Sequence, residues 1–168
     1  MALVKLDSPI FIVEAGRSGA TLVQALLGAH PQVAVPPETR FMKMADRFGA
    51  ATHDAPADPA AFWTHLIGWP RFHDPGLAPE EVARRADPVD GATFRDTFAA
   101  MLATCAAQAG KRRAGAKTPG HYRYWRRLPE WFPDARILPV RQDPRAVAAS
   151  ALETPWGKES RRRCTIHG

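Results

Sequence analysis

The residues best suited to chemistry stand between Gly16 and Gly19, where a turn of small residues encloses Arg17. Small residues let the main chain approach an anion closely, and Arg supplies permanent charge with several directed donors. The turn follows an apolar run at residues 10–13, typical of a buried strand, and precedes a helix start at Thr21. A strand, a glycine turn and a helix present free N–H groups and a positive helix end to phosphate or sulfate. Taken alone, the turn is equally typical of an ordinary strand–helix connection, and the Walker A pattern is absent.

Composition favours one globular domain with a basic C-terminal half. The chain has 168 residues, of which 45% are hydrophobic and 24% charged. Residues 111–168 carry 14 Lys and Arg against 5 Asp and Glu, whereas residues 1–110 are slightly acidic. A basic half suits an anionic ligand, nucleic acid or an acidic surface, and charge alone does not choose between them. The aromatic and basic run at 122–127 is interpreted as an amphipathic face, so we expect no nucleic-acid partner.

Cysteine content and hydropathy limit the kinds of site and the cellular location that the sequence predicts. Cys105 and Cys164 are too few and too far apart for a disulfide framework or a metal site, so no metal is expected. We find no signal peptide and no run long enough to cross a membrane. The expected location is therefore the cytoplasm.

Hydrophobic periodicity predicts the elements that would position these residues. Predicted strands cover 10–13, 33–35, 114–119 and 135–141. Predicted helices cover 21–27, 38–48, 60–68, 79–86, 92–109, 121–131 and 144–152, with loops at 50–59 and 70–79. The first helix should pack its apolar face on the sheet, and the helices between 59 and 109 should be peripheral.

Pro139 and Asp143, near the end of this pattern, allow specific predictions about a strand and a helix. Pro139 is awkward in a central strand because it cannot donate to a neighbour. Asp143 can cap a helix whose first turn holds Pro144.

Three ordered motifs give the sequence a family resemblance. The stretch 16–22 resembles the 5′-phosphosulfate loop of sulfotransferases that use PAPS, 3′-phosphoadenosine 5′-phosphosulfate. Gln142-Asp143-Pro144-Arg145 followed by Ser150 resembles their 3′-phosphate motif, usually Arg-Asp-Pro with a Ser eight residues after the Arg. Pro37-Glu38-Thr39-Arg40 resembles a segment of bacterial enzymes related to tyrosylprotein sulfotransferase, and Glu38 follows Arg17 at the expected spacing of 21.

The resemblance implies an α/β, P-loop NTPase-like three-layer fold, with a short parallel sheet of about four strands flanked by helices. It implies transfer of a sulfuryl group from PAPS to the hydroxyl of a small-molecule or peptide acceptor, without a metal. The implied catalytic residues are Glu38 as general base, Arg17 as charge stabiliser and Lys117 in Lys-Thr-Pro as a contact to the transferred group. The implied cofactor-binding residues are Gly16, Arg17, Ser18, Gly19, Ala20, Thr21, Leu22, Gln142 and Ser150. His121 is a minor site candidate.

The sequence also departs from the family pattern. Glu14 stands where the family usually has a small residue, Ala20 replaces a Thr, and Gln142 replaces the Arg expected at the 3′-phosphate unless Arg141 or Arg145 substitutes. We expect a partial sulfotransferase-like domain at 1–153 that is truncated at its C-terminus, and a polar, basic, poorly ordered tail at 154–168. A non-catalytic remnant with weak or no nucleotide binding is therefore an alternative, and a P-loop kinase is a third hypothesis.

Overall fold

The computed structural model describes residues 6–50, 55–86, 91–155 and 157. The strands are β1 (Ile10–Glu14), β2 (Val33–Ala34), β3 (Arg113–Lys117) and β4 (Arg136–Val140). The helices are α1 (Ala20–Ala29), α2 (Phe41–Asp46), α3 (Pro59–Ile67), α4 (Pro70–His73), α5 (Pro79–Ala86), α6 (Phe94–Gln108), α7 (Arg127–Trp131) and α8 (Pro144–Leu152). A 3₁₀ helix covers His121–Tyr124. Most of the predicted tail lies outside the described residues.

The four strands form one parallel sheet in the order β2-β3-β1-β4. The predicted α/β class with a short parallel sheet flanked by helices is confirmed. Because all four strands run in the same direction, the chain segments that follow them leave the sheet at one edge. Those segments contain Arg17, Glu38, Thr118 and Gln142, so the strand order brings parts of all the predicted motifs to that edge.

The position of β4 explains Pro139. Within the described residues β4 is an edge strand that pairs only with β1. The Arg136 N–H donates to the Pro9 carbonyl at 2.8 Å, so alternate residues of β4 point their N–H groups at β1. Position 139 has the opposite parity and faces the open side of the strand. A proline there removes no bond from the sheet and leaves the edge with one donor fewer for another strand to use.

Small residues in β3 allow it to pack closely against β1. A methyl group at Gly115 would lie 2.8 Å from the backbone oxygen of Ile10, a distance that real side chains do not reach. The buried residues Ala114 and Ala116 flank this glycine. The Ala-Gly-Ala sequence therefore fixes the separation of the two central strands.

An aromatic core lies on one face of the sheet. Phe11 of β1 packs against Phe98 of α6 and Phe132, with ring centroids 6.0 and 5.3 Å apart. Phe41 of α2 stacks on Phe98 at 4.6 Å with nearly parallel rings. Since α2 begins three residues after Glu38, this stacking anchors the segment that carries Glu38.

Three expectations for the helices were wrong. The helices between 59 and 109 are not all peripheral, because α6 buries ten of its residues. A capping box fixes the start of this helix. Residues 70–73 form α4, with Pro70 in its first turn, where a loop was predicted. The single helix predicted at 121–131 is divided into the 3₁₀ helix and α7.

The packing of α1 also differs from the prediction. Leu22 and Leu26 are 67% and 66% exposed, and Ala20 is its buried residue. The helix begins one residue earlier than predicted and turns these two leucines, one helical turn apart, away from the sheet. Their burial was predicted from apolar spacing alone, which does not say which side of a helix meets the sheet.

Candidate functional site

Glu38 and Lys117 form the central contact of the site. The Lys117 Nζ donates to Glu38 Oε1 at 2.7 Å, and the side chains are 5% and 23% exposed. Lys117 is the last residue of β3, and Glu38 follows the rigid Pro36-Pro37 pair after β2. Two residues 79 positions apart in the sequence are thus paired at the edge of the sheet.

Arg17 joins the first loop to α8. Its guanidinium donates to Ser150 Oγ from Nε at 3.0 Å and from a terminal nitrogen at 2.8 Å. Arg17 has a φ of 74°, a left-handed conformation that costs a residue with a Cβ on the order of 1–3 kcal/mol. Such a conformation persists where surrounding contacts hold it, and the bonds to Ser150 are contacts of this kind.

The predicted loop provides fewer free donors than expected. The Leu22 N–H donates to the Gly19 carbonyl at 3.0 Å, and the Leu22 side chain points to solvent. The buried Ser18 hydroxyl donates to the Ala15 carbonyl at 2.6 Å, which stabilises the turn itself. Gly19 precedes α1 with a φ of 85° and has no side chain to cap the helix. The backbones of Ser18 and Ala20 hydrogen-bond the Glu14 carboxyl, so the N-terminus of α1 is partly occupied by a side chain of β1.

Glu14 lies between the loop and the Lys117–Glu38 pair. It is 4% exposed at the end of β1. Burial raises the pKa of this carboxyl, while the positive charge of Lys117 and the backbone of Ala20 oppose the shift. A neutral form favoured by burial lessens the repulsion of an anion in the neighbouring loop.

A cavity of about 480 Å³ opens between the first loop, the end of β4 and the start of α8. It is lined by Val13, Glu14, Ala15, Ser18, Tyr122, Pro139, Val140, Arg141, Gln142, Pro144, Val147 and Ala148. Arg145 does not line it, because its guanidinium hydrogen-bonds both carboxylate oxygens of Asp143. Of the two arginines considered as substitutes for the missing 3′-phosphate arginine, Arg141 is therefore the one beside Gln142 in this cavity.

A second cavity, of about 340 Å³, lies beside Glu38. It is lined by Arg40, Met42, Lys43, Thr118, Pro119, Gly120, His121, Tyr122, Arg123 and Tyr124. No residue between 59 and 109 lines it. Tyr122 lines this cavity and the larger one, so the two are adjacent.

The sequence matches the model of the Sulfotransferase family over residues 9–165. The chain belongs to this family. It is also 32% identical over 148 residues to nodulation protein NoeE of Sinorhizobium fredii (strain NBRC 101917 / NGR234). That alignment covers 88% of this chain and 31% of NoeE, so the chain spans about a third of the length of this relative. Among solved structures, sulfotransferase STF9 from Mycobacterium avium is similar over 88% of this chain and 46% of its own, with 19% identity and a TM-score of 0.41.

The predicted site residues of this family member fall into two groups. Glu38 pairs with Lys117, and Arg17 contacts Ser150. The loop also touches the Lys-Thr-Pro segment, since a methyl group at Gly16 would lie 3.9 Å from Pro119 Cβ. Thr21 and Gln142 are exposed and free to reach a ligand. Ala20 is buried, so its backbone and not its methyl group is the part that belongs to the site.

His121 is fully buried and lies within the electrostatic influence of Lys117. Its ring lies edge-on to Phe11 at 6.2 Å, and neither ring nitrogen has a hydrogen-bond partner of acceptable geometry. Burial lowers the pKa of His121 to about 4, against a smaller effect of the Ile12 backbone that favours the charged form. The imidazole is therefore neutral near pH 7.

Sequence reasoning missed the basic and aromatic lining of the second cavity. The run at 122–127 was interpreted as an amphipathic face, although Tyr122, Arg123 and Tyr124 line the cavity. The left-handed φ of Arg40, 52°, is visible only in the structure, and nothing in the sequence indicates it.

No group of three or more potential metal ligands occurs among the described residues. Within the same ranges, none of the helices combines the length and apolar character needed to span a bilayer.

Proposed function

We propose that this member of the sulfotransferase family moves a sulfuryl group from PAPS to a hydroxyl acceptor. The observation that carries the proposal is that the two cavities share Tyr122, with Arg17 and Ser150 on the side of the first loop and Glu38 on the side of the second cavity. A donor and an acceptor bound in adjacent cavities would approach each other near the Lys117–Glu38 pair. PAPS supplies the activated sulfuryl group when it is bound.

The residues of the first loop and of the first cavity suit the nucleotide end of PAPS. The guanidinium of Arg17 offers donors to a phosphosulfate, and Ser150 of α8, with Arg141 in the cavity wall, offers donors to a 3′-phosphate. Arg17 bonds Ser150, so a bound nucleotide would exchange that contact for contacts with the ligand. Gln142 contributes a neutral amide where a charged group would bind more strongly.

The residues around Glu38 suit proton removal from a hydroxyl. Lys117 bonds one carboxylate oxygen, which fixes its orientation and leaves the other oxygen toward Arg40, 3.9 Å away. As the acceptor oxygen bonds to sulfur, Glu38 takes the hydroxyl proton, and the bond from sulfur to the 5′-phosphate oxygen breaks. Arg17 and Lys117 stabilise the negative charge that moves onto the leaving phosphate. Since both are cations, they act electrostatically.

Two measurements test the proposal. Calorimetry with PAP, the desulfonated product, should give micromolar binding, and 5′-AMP, which lacks the 3′-phosphate, should bind more weakly by about tenfold or more. Ser150→Ala should narrow that difference, whereas Arg126→Gln, an exposed arginine outside both cavities, should not. No binding of PAP at millimolar concentration would instead support the non-catalytic alternative.

The roles of the catalytic residues need a transfer assay. Release of PAP from labelled PAPS, measured with a panel of hydroxyl acceptors, should fall sharply in Glu38→Gln while PAP affinity is retained. Arg17→Ala should lower both transfer and PAP affinity. Transfer that survives both substitutions would remove the roles assigned to these residues.

A further inference from the structure

The cavity beside Glu38 has a strongly biased charge. Its lining includes Arg40, Lys43 and Arg123 and contains no Asp or Glu. Arg40 reaches Glu38 only at 3.9 Å. Within the described residues, no ion pair is formed by Lys43 or Arg123.

The nearest acid along α2 does not neutralise this wall. Asp46 accepts hydrogen bonds from the Tyr124 hydroxyl at 2.8 Å and from the Arg127 guanidinium, so both carboxylate oxygens are already occupied. His121 adds no charge near pH 7, because it is fully buried and its pKa is lowered to about 4. The excess positive charge therefore comes from Arg40, Lys43 and Arg123 together.

The same cavity presents aromatic surface beside its cations. Tyr122 is 44% exposed, and the Arg123 guanidinium lies 5.7 Å from the centre of its ring. The half-buried Tyr124 provides a second ring. Flat aromatic faces next to unpaired cations favour a ligand that combines a ring with a negative charge.

Glu38 does not line the cavity, but two of the lining residues, Arg40 and Thr118, lie next to the Lys117–Glu38 pair. Arg40 separates Glu38 from the start of α2, and the Arg40 N–H donates to Thr118 Oγ1 at 3.4 Å. Thr118 follows Lys117 directly, so the walls of the cavity are built from the residues next to the Lys117–Glu38 pair.

We propose that this cavity binds a small acceptor that carries a carboxylate on the same ring system as its reacting hydroxyl. Lys43 and Arg123 bind the carboxylate, Tyr122 packs on the ring, and the hydroxyl lies toward Glu38. The inference rests on the proposed function for the role of Glu38, while the preference for an acid rests on the cavity alone. A phenolic acid and a sugar acid share this chemistry, and the experiment separates them.

The test measures binding to the full-length protein without nucleotide. Two matched pairs of probes are used, 4-hydroxyphenylacetate with 4-hydroxyphenylacetamide and glucuronate with glucose. At least one acid should bind about tenfold or more tightly than its neutral partner, and higher salt should reduce the difference. The pair that shows the preference identifies the ring.

Matched variants assign the preference to this cavity. Lys43→Gln and Arg123→Gln should each reduce the acid-to-neutral ratio several-fold, whereas Arg126→Gln, on the same segment but outside the cavity, should leave it unchanged. Circular dichroism and PAP binding confirm that each variant is folded. Equal binding of acid and neutral probes, or a ratio that the Lys43 and Arg123 variants do not change, would overturn the inference.

Failure of the proposed function gives a different pattern. Selective binding of the acids that is retained in Glu38→Gln, together with no binding or release of PAP, would support the acid-binding cavity and refute the proposed sulfuryl transfer. Binding of PAP and consumption of PAPS without a preference for either acid would support the sulfuryl transfer and refute the proposed acidic acceptor.

Discussion

The Lys117–Glu38 pair should be strongly coupled, and a double-mutant cycle measures this. The variants are Glu38→Ala, Lys117→Met and the combination. Because Lys117 is 5% exposed, Glu38→Ala leaves a buried ammonium without its hydrogen-bonded carboxylate. Breaking a buried pair in this way costs about 3–5 kcal/mol, and the lower end is expected because Glu14 remains close to Lys117.

Removal of the lysine should cost less than removal of the glutamate. Methionine keeps most of the apolar volume of the Lys117 side chain, and Glu38 is 23% exposed and can hydrate. The loss of one charge-assisted hydrogen bond predicts about 1.5–3 kcal/mol. The combined variant leaves neither charge unpaired, so its cost should fall short of the sum by at least about 1 kcal/mol.

Urea unfolding followed by fluorescence of the five tryptophans supplies these free energies. The control cycle uses Arg71 and Asp74, which lie 2.8 Å apart, close to the 2.7 Å of the Lys117–Glu38 contact, but whose side chains are 42% and 37% exposed. That surface pair should couple by less than about 1 kcal/mol. Additivity of the Lys117 and Glu38 variants, or coupling no larger than that of the control, would refute the view that burial makes this contact strong.

Three further predictions concern stability. Glu14→Gln should raise the free energy of unfolding at pH 7, because burial raises the pKa of Glu14 in the folded protein and makes its charged form unfavourable. This gain in the free energy of unfolding should shrink as the pH falls toward 4.5, the ordinary pKa of a glutamate side chain. Urea titrations at several pH values measure the gain, and a gain that does not change with pH would contradict the prediction. Gly115→Ala should destabilise the sheet, since its methyl group would meet the Ile10 oxygen at 2.8 Å, and an unchanged melting temperature would refute this. Phe41→Ala, which removes a stacked ring from the core, should cost about 3–5 kcal/mol in the same urea assay, and a cost below 1 kcal/mol would contradict the stacking.

The order of elements could be predicted from local sequence. Apolar runs between turn residues gave the four strands, and Asp143 was correctly placed as the cap of α8, where it accepts from the Arg145 N–H. The helix predicted at 79–86 matches α5, residue for residue. Capping, proline position and periodicity act within a few residues, so a single chain segment contains the information for them.

Contacts between distant segments were beyond the reach of that reasoning. The amphipathic pattern of α1 did not show that Leu22 and Leu26 point away from the sheet, and nothing in the run at 122–127 indicated that Tyr122 borders both cavities. Pro139 was judged awkward because the sequence does not say that β4 lies at the edge of the sheet.

The sequence by itself determined which residue types stand at the ends of the strands and at what separations, and with them the family. Only the tertiary structure decided that Lys117 bonds Glu38 and that Arg17 bonds Ser150 across 133 residues. The physical reason is the parallel sheet: its strand order brings the ends of distant segments to one edge, and strand order depends on packing of the whole chain and not on any local pattern.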